Sequence, residues 1–178
     1  MKRYILLPLL AVGCLNWTRP DDGNHYHLYI APGFSDSQHE MVVKAAQNWA
    51  KATDGFITFD LNAWTADSSN TISVYPTTLK QLDEHESTLG ETWNYRENSK
   101  IEDAIDLDTD TFRRTALHEM GHALGLVHNP DTGNKIANGF MCANNGCASE
   151  QIECVDLKQL CAVWGGFCDA DSMAPCQK

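Results

Sequence analysis

The stretch His118-Glu119-Met120-Gly121-His122-Ala123-Leu124-Gly125-Leu126-Val127-His128 decides how this chain is read. It has the form H-E-x-x-H-x-x-G-x-x-H. His118 and His122 stand four residues apart, so on a helix they share one face, roughly 6 Å from each other. Two imidazoles so placed can bind one zinc ion, and Glu119 beside them can take a proton from metal-bound water. Gly125 can adopt the left-handed conformation that ends a helix. The chain can then turn and bring His128 back as a third ligand. Three protein ligands and an open fourth position mark a catalytic zinc site rather than a structural one.

Working outward, Thr109 or Asp110 opens the helix that carries the motif. Phe112, Leu117, Met120, Ala123 and Leu124 can face a core while the two histidines face a cleft. Far upstream, Tyr26, Leu28 and Ile30 alternate with His27 and Tyr29, which predicts a strand with His25 and His27 exposed on its other face. Ser37-x-x-Glu40 reads as a capping box. Behind it Met41, Val42, Ala45, Ala46, Trp49 and Ala52 form a helical core stripe, closed by Gly55. Residues 56–61 and 71–75 read as strands, 77–85 as a short helix, and 87–95 and 101–107 as two more strands. Asp103, Asp106, Asp108 and Asp110 form an acidic run that could hold calcium, as could the loop with Asp60, Asp67 and Asn70. Simpler uses for the run are facing water and favouring the helix dipole. Residues 149–164 read as a last helix, with Ile152, Val155, Leu160 and Val163 inward and Gly165-Gly166 as its stop.

The ends of the chain speak to its compartment. Lys2 and Arg3 precede a short apolar run over residues 5–12, too short to span a bilayer. Residues 1–13 therefore read as an export signal. Ala11-Val12-Gly13-Cys14 resembles a bacterial lipobox, with Cys14 lipidated and anchoring the protein to the cell envelope; an ordinary signal-peptidase site, and so plain secretion, is the alternative. Residues 14–24 read as a tether or short pro-segment, and residues 25–178 as the folded domain. Lipidating Cys14 leaves six of the seven cysteines: Cys142, Cys147, Cys154, Cys161, Cys168 and Cys176. An even set in an exported protein suggests three disulfides. Cys154 and Cys161 share a face of one helix, too far apart to bond each other, so each needs a partner in a loop or the tail. The formal charge of −11 argues against nucleic acid or an anionic membrane surface as partner, and 178 residues suit one monomeric domain.

The eleven motif residues resemble the zinc signature of the metzincin metallopeptidases. That resemblance covers roughly residues 26–165 and implies a single α/β catalytic domain. Its twisted, mostly parallel sheet carries an antiparallel edge strand, an active-site helix and a C-terminal helix, and here a disulfide-rich C-terminal part. It implies peptide-bond hydrolysis of a protein or peptide substrate, with His118, His122 and His128 on one Zn²⁺ and Glu119 as general base. It also implies a methionine turn, for which Met141 in Asn138-Gly139-Phe140-Met141-Cys142 is the match, and a substrate backbone laid along Leu89-Gly90-Glu91-Thr92-Trp93. Asn129 after the third histidine fits no subfamily. Asp156 and Trp164-Gly165 resemble the matrixin C-terminal helix. A different class of function is a zinc-binding cell-surface lipoprotein, with an adhesion or scaffold role, that keeps the motif without turnover.

Overall fold

The computed structural model describes residues 24–61, 65–66, 69–83, 89–95, 98–129, 139–141, 151–164 and 169–177. The expected export signal, tether and lipobox, with Cys14, Cys142, Cys147 and Cys168, lie outside the described residues. Among the described residues are five strands: β1 (His25–Ile30), β2 (Thr58–Asp60), β3 (Thr71–Thr77), β4 (Gly90–Tyr95) and β5 (Asn98–Ala104). They form one twisted mixed sheet in the order β2-β1-β3-β5-β4. All neighbours are parallel except β4, which lies antiparallel to β5 at the edge. Mixed α/β architecture with an antiparallel edge is what the sequence predicts.

Alternation along the strands places the core. Tyr26 and Leu28 of β1, Ile72 and Val74 of β3 and Ile101 of β5 are buried on one face. Two helices cover that face: α1 (Asp36–Ala52) and α3 (Thr109–Ala123), with the short α2 (Leu79–Asp83) between β3 and β4. Val42, Ala45, Ala46 and Trp49 of α1 meet Phe112, Ala116 and Met120 of α3 in one cluster. Each large side chain buried this way contributes about 1.5–3 kcal/mol. Trp49 adds direction, because its indole Nε1 donates to the Leu117 carbonyl at 3.0 Å.

Three boundaries differ from the sequence reading. The capping box of α1 is Ser35 with Gln38, not Ser37 with Glu40. Gln38 accepts from Ser35 N at 3.0 Å and also donates to the Ile105 carbonyl at 2.9 Å, while Glu40 faces solvent and pairs with Lys44 at 2.7 Å. A tertiary bond selects the earlier start. Strand β5 begins and ends three residues earlier than expected, because it pairs with β4 from Asn98 opposite Tyr95. The last helix, α4 (Cys154–Val163), starts later than residue 149, since Glu153 is extended at φ −106° and donates its N–H to Asp156 Oδ2 at 2.8 Å.

The acidic run separates into distinct tasks. Asp106 accepts from Leu79 N at 2.9 Å, and Asp108 caps α3 by accepting from Asp110 N and Thr111 N at 3.1 Å. Asp103 does not face water as expected: it is 1 % exposed, and neither carboxyl oxygen has a hydrogen-bond partner among the described residues. Burial, then the nearby Glu119, pushes its pKa well above the ordinary aspartate value. A folded-state pKa raised above the unfolded one makes stability fall as pH rises from the aspartate range towards neutrality. Asp103→Asn should therefore raise the unfolding midpoint at pH 8, and the gain should shrink as pH falls towards about 4. Parallel thermal melts of the two proteins across that range check it.

The C-terminal part is tied down covalently. Cys154 at the start of α4 bonds Cys176 in the tail, and Cys161 is also disulfide-bonded. Each helix cysteine thus bonds elsewhere than to the other, as their separation along the helix requires. Trp164 at the end of α4 donates to the Leu124 carbonyl at 3.3 Å and stacks edge-on against Tyr26 and Phe56. This seats α4 beneath the end of α3.

Candidate metal centre and active site

Helix α3 carries His118, Glu119 and His122, and the turn after it carries His128. The helix ends at Leu124, and Gly125 follows at φ +95°. Gly125 N donates to the His122 carbonyl at 2.9 Å and Leu126 N to the Gly121 carbonyl at 3.1 Å. A side chain at Gly125 would strain this left-handed turn. The reversal brings His128 Nε2 to 3.1 Å from His118 Nε2 and 3.1 Å from His122 Nε2. The three imidazoles sequence reasoning joined are therefore brought together, and they form a group able to hold a metal ion.

The donor set fits zinc. Ligands of a tetrahedral site with Zn–N near 2.0–2.1 Å stand about 3.3–3.4 Å apart, close to the observed separations. His122 Nδ1 donates to the Leu126 carbonyl at 2.8 Å, which leaves Nε2 as a bare lone pair. His118 hydrogen-bonds the Phe140 main chain. Burial, followed by the neighbouring imidazoles, lowers the His118 pKa well below the usual histidine value. Burial also lowers His122, and burial with His122 alongside brings His128 down to about 4. Three neutral imidazoles with converging nitrogens suit a shared cation.

Glu119 projects from the same helix turn. Its side chain is buried, and Oε2 accepts from the Thr92 hydroxyl at 2.7 Å. Burial raises its pKa to about 7; the Thr92 hydrogen bond opposes this and the Glu91 charge adds to it. Of the expected edge-strand residues, the structure brings Gly90 and Thr92 against Glu119, whereas the Leu89 carbonyl accepts from Ala104 N at 3.2 Å. Further along β4, Asn94 donates to the His122 carbonyl at 3.0 Å, and Ser99 donates to the Ala123 carbonyl at 3.1 Å. Sequence reasoning missed Asn94 and Ser99. Their signal was weak: polar side chains at alternate positions of a strand on its helix-facing side.

Beneath α3 lies Met141, fully buried. A Cβ on Gly121 would stand 2.5 Å from Met141 Sδ and 2.9 Å from Trp49 Cζ2, so packing favours glycine at this position, which the motif itself leaves open. Asp156 of α4 organises this floor. Its Oδ1 accepts from Asn129 Nδ2 at 2.8 Å and Met141 N at 3.0 Å, and its Oδ2 from Phe140 N at 2.9 Å and Glu153 N at 2.8 Å. Asn129 N in turn donates to the Met141 carbonyl at 2.6 Å. The residue after the third histidine is thereby locked to the Met141 segment through one buried carboxylate. Asp156→Ala leaves several buried donors without an acceptor, each worth about 1–3 kcal/mol. The expected loss is about 3 kcal/mol or more, a fall of roughly 6–12 °C in Tm. Thermal melts check this, and a shift under about 2 °C would contradict the hub.

No protein-family profile matches this chain, and no curated protein matches it. Among solved structures it is similar to high choriolytic enzyme 1, a hatching-enzyme zinc protease from Oryzias latipes (medaka fish), at 20 % sequence identity and a TM-score of 0.42. The similarity covers 68 % of this chain and 54 % of that one, so the chain spans about half the length of that enzyme. The chemistry of the site rests on its own residues.

Proposed function

We propose that this chain is a zinc-dependent endopeptidase of metzincin type. The observation that carries the reading is His128 Nε2 lying 3.1 Å from the Nε2 atoms of both His118 and His122, two residues of the helix that also presents Glu119. Bound by His118, His122 and His128, zinc would supply Lewis acidity and lower the pKa of a water towards about 7. Glu119 takes a proton from the attacking water and passes it to the leaving nitrogen. Met141 forms the floor of the site, and Asp156 and Asn129 hold His128 in register with it.

The substrate in this reading is an extended peptide that adds a strand to β4 through Leu89, Gly90, Glu91 and Thr92. β4 ends the sheet among the described strands, and no described residue pairs with its outer edge. The disulfide between Cys154 and Cys176 supports an exported location, with Cys14 as the lipid anchor in the same proposal. Cleavage of a mixed peptide library, with and without a zinc chelator, tests the activity. Cleavage that stops on chelation and returns with Zn²⁺ is expected; cleavage indifferent to both would overturn the reading.

A further inference from the structure

Strand β4 grips Glu119 at two points. A Cβ on Gly90 would lie 2.8 Å from Glu119 Cγ, 2.8 Å from Thr115 Cγ2 and 3.1 Å from Asp103 Oδ1. The stem of Glu119 thus rests in the space a side chain at Gly90 would fill. Two residues on, Thr92 Oγ1 stands 2.7 Å from Glu119 Oε2 and 3.2 Å from the Glu119 carbonyl. The hydroxyl therefore bridges the head of the side chain and its own main chain. Stem and head are both set by consecutive inward positions of one strand.

The same two residues face the open edge with their backbones. Ala104 N bonds the Leu89 carbonyl, and Gly90 stands opposite Asp103, Thr92 opposite Ile101. In an antiparallel ladder, hydrogen-bonded and non-hydrogen-bonded pairs alternate. Leu89, Glu91 and Trp93 thus turn their main-chain groups to β5, and Gly90, Thr92 and Asn94 turn theirs outward. A peptide pairing with β4 would bond the residues whose inward sides hold Glu119.

We infer that Gly90 and Thr92 are positioning residues for Glu119, so that the strand receiving the substrate backbone also sets the general base. The inference rests on the zinc-peptidase reading. Without Thr92's hydroxyl, Glu119 keeps its place in the helix but loses the bond that fixes its carboxylate. Misplacing a reacting group by about 1 Å can cost on the order of 10²-fold. Thr92→Val preserves shape and removes the hydroxyl, and Thr92→Ser restores it. Gly90→Ala pushes on the stem instead.

The test measures kcat and KM for a cleaved peptide, zinc content, and the infrared carboxylate stretch of the metal-free proteins at pH 9. Glu119→Gln identifies the Glu119 band by its loss. Thr92→Val should lower kcat by about 10- to 100-fold with KM changed less than about twofold. Its zinc content should be unchanged, and its Glu119 band should shift. Thr92→Ser should recover most of kcat and the wild-type band, and Gly90→Ala should lower kcat. Wild-type kcat in Thr92→Val beside an inactive Glu119→Gln would overturn this inference and leave the peptidase reading standing. A Thr92→Ser variant as impaired as Thr92→Val would also overturn it, by showing a packing role. If the wild-type protein cleaves nothing, the peptidase reading fails first, and the infrared arm then decides whether Thr92 holds Glu119; an unshifted band overturns that too.

Discussion

Glu119→Gln is expected to keep one zinc ion per chain and to lower kcat for peptide cleavage by about 10²- to 10⁴-fold, the usual range for a lost general base. The substitution changes almost no volume. The new amide could still accept the Thr92 hydroxyl through its oxygen, so the 2.7 Å contact with β4 and the seat at Gly90 are preserved. What goes is the capacity to take a proton from water. KM should move little, since the proposed binding along the edge of β4 would not use the carboxylate. Equal falls in kcat and in zinc content would assign Glu119 a structural part instead.

His122→Ala should have the second large effect, and of a different kind. His122 is anchored at both nitrogens: Nδ1 on the Leu126 carbonyl at 2.8 Å, Nε2 towards His128 at 3.1 Å. The variant loses a ligand and also the bond that ties the turn after Gly125 to the helix. Loss of an outer-shell partner alone typically costs 10- to 100-fold in metal affinity, so removing the ligand should cost more than about 100-fold. Activity should disappear with the metal. Competition with a chromogenic chelator measures the affinity, and peptide cleavage at saturating zinc measures the activity. Near-native zinc affinity in His122→Ala would contradict the three-histidine centre.

In the proposed reading the two variants separate because His122 and Glu119 are neighbours on one helical turn, one as ligand and one as base. That part was legible from residue types alone. His118, Glu119 and His122 need only a helix, and Gly125 supplies the reversal that returns His128, as its φ of +95° bears out. The first strand and its buried face were legible as well: Tyr26 and Leu28 alternate with polar neighbours, and both are buried. Residues whose work is tertiary were not legible. Asp156 looks like any acidic residue in a helix's first turn, yet it bonds three separate segments. Asn129 fitted no family pattern, and its amide proves to bind that same carboxylate. Thr92 was expected to offer its backbone to a substrate, and its hydroxyl contact with Glu119 depends on a helix 27 residues away in sequence. Asp103 was expected at the surface because it lies in an acidic run; the pairing of β5 with β4 turns it inward. Local pattern fixes such residues only when one face of a strand is known to be covered.

The most direct test of the zinc-peptidase account is a zinc titration of the metal-stripped protein, followed by cleavage of a mixed peptide library. The account predicts cleavage that rises linearly with added Zn²⁺ and breaks at one ion per chain, with at most about a hundredth of that rate in Glu119→Gln at every ratio. Binding of one zinc with no cleavage in either protein would contradict it and favour a zinc-binding surface protein without turnover.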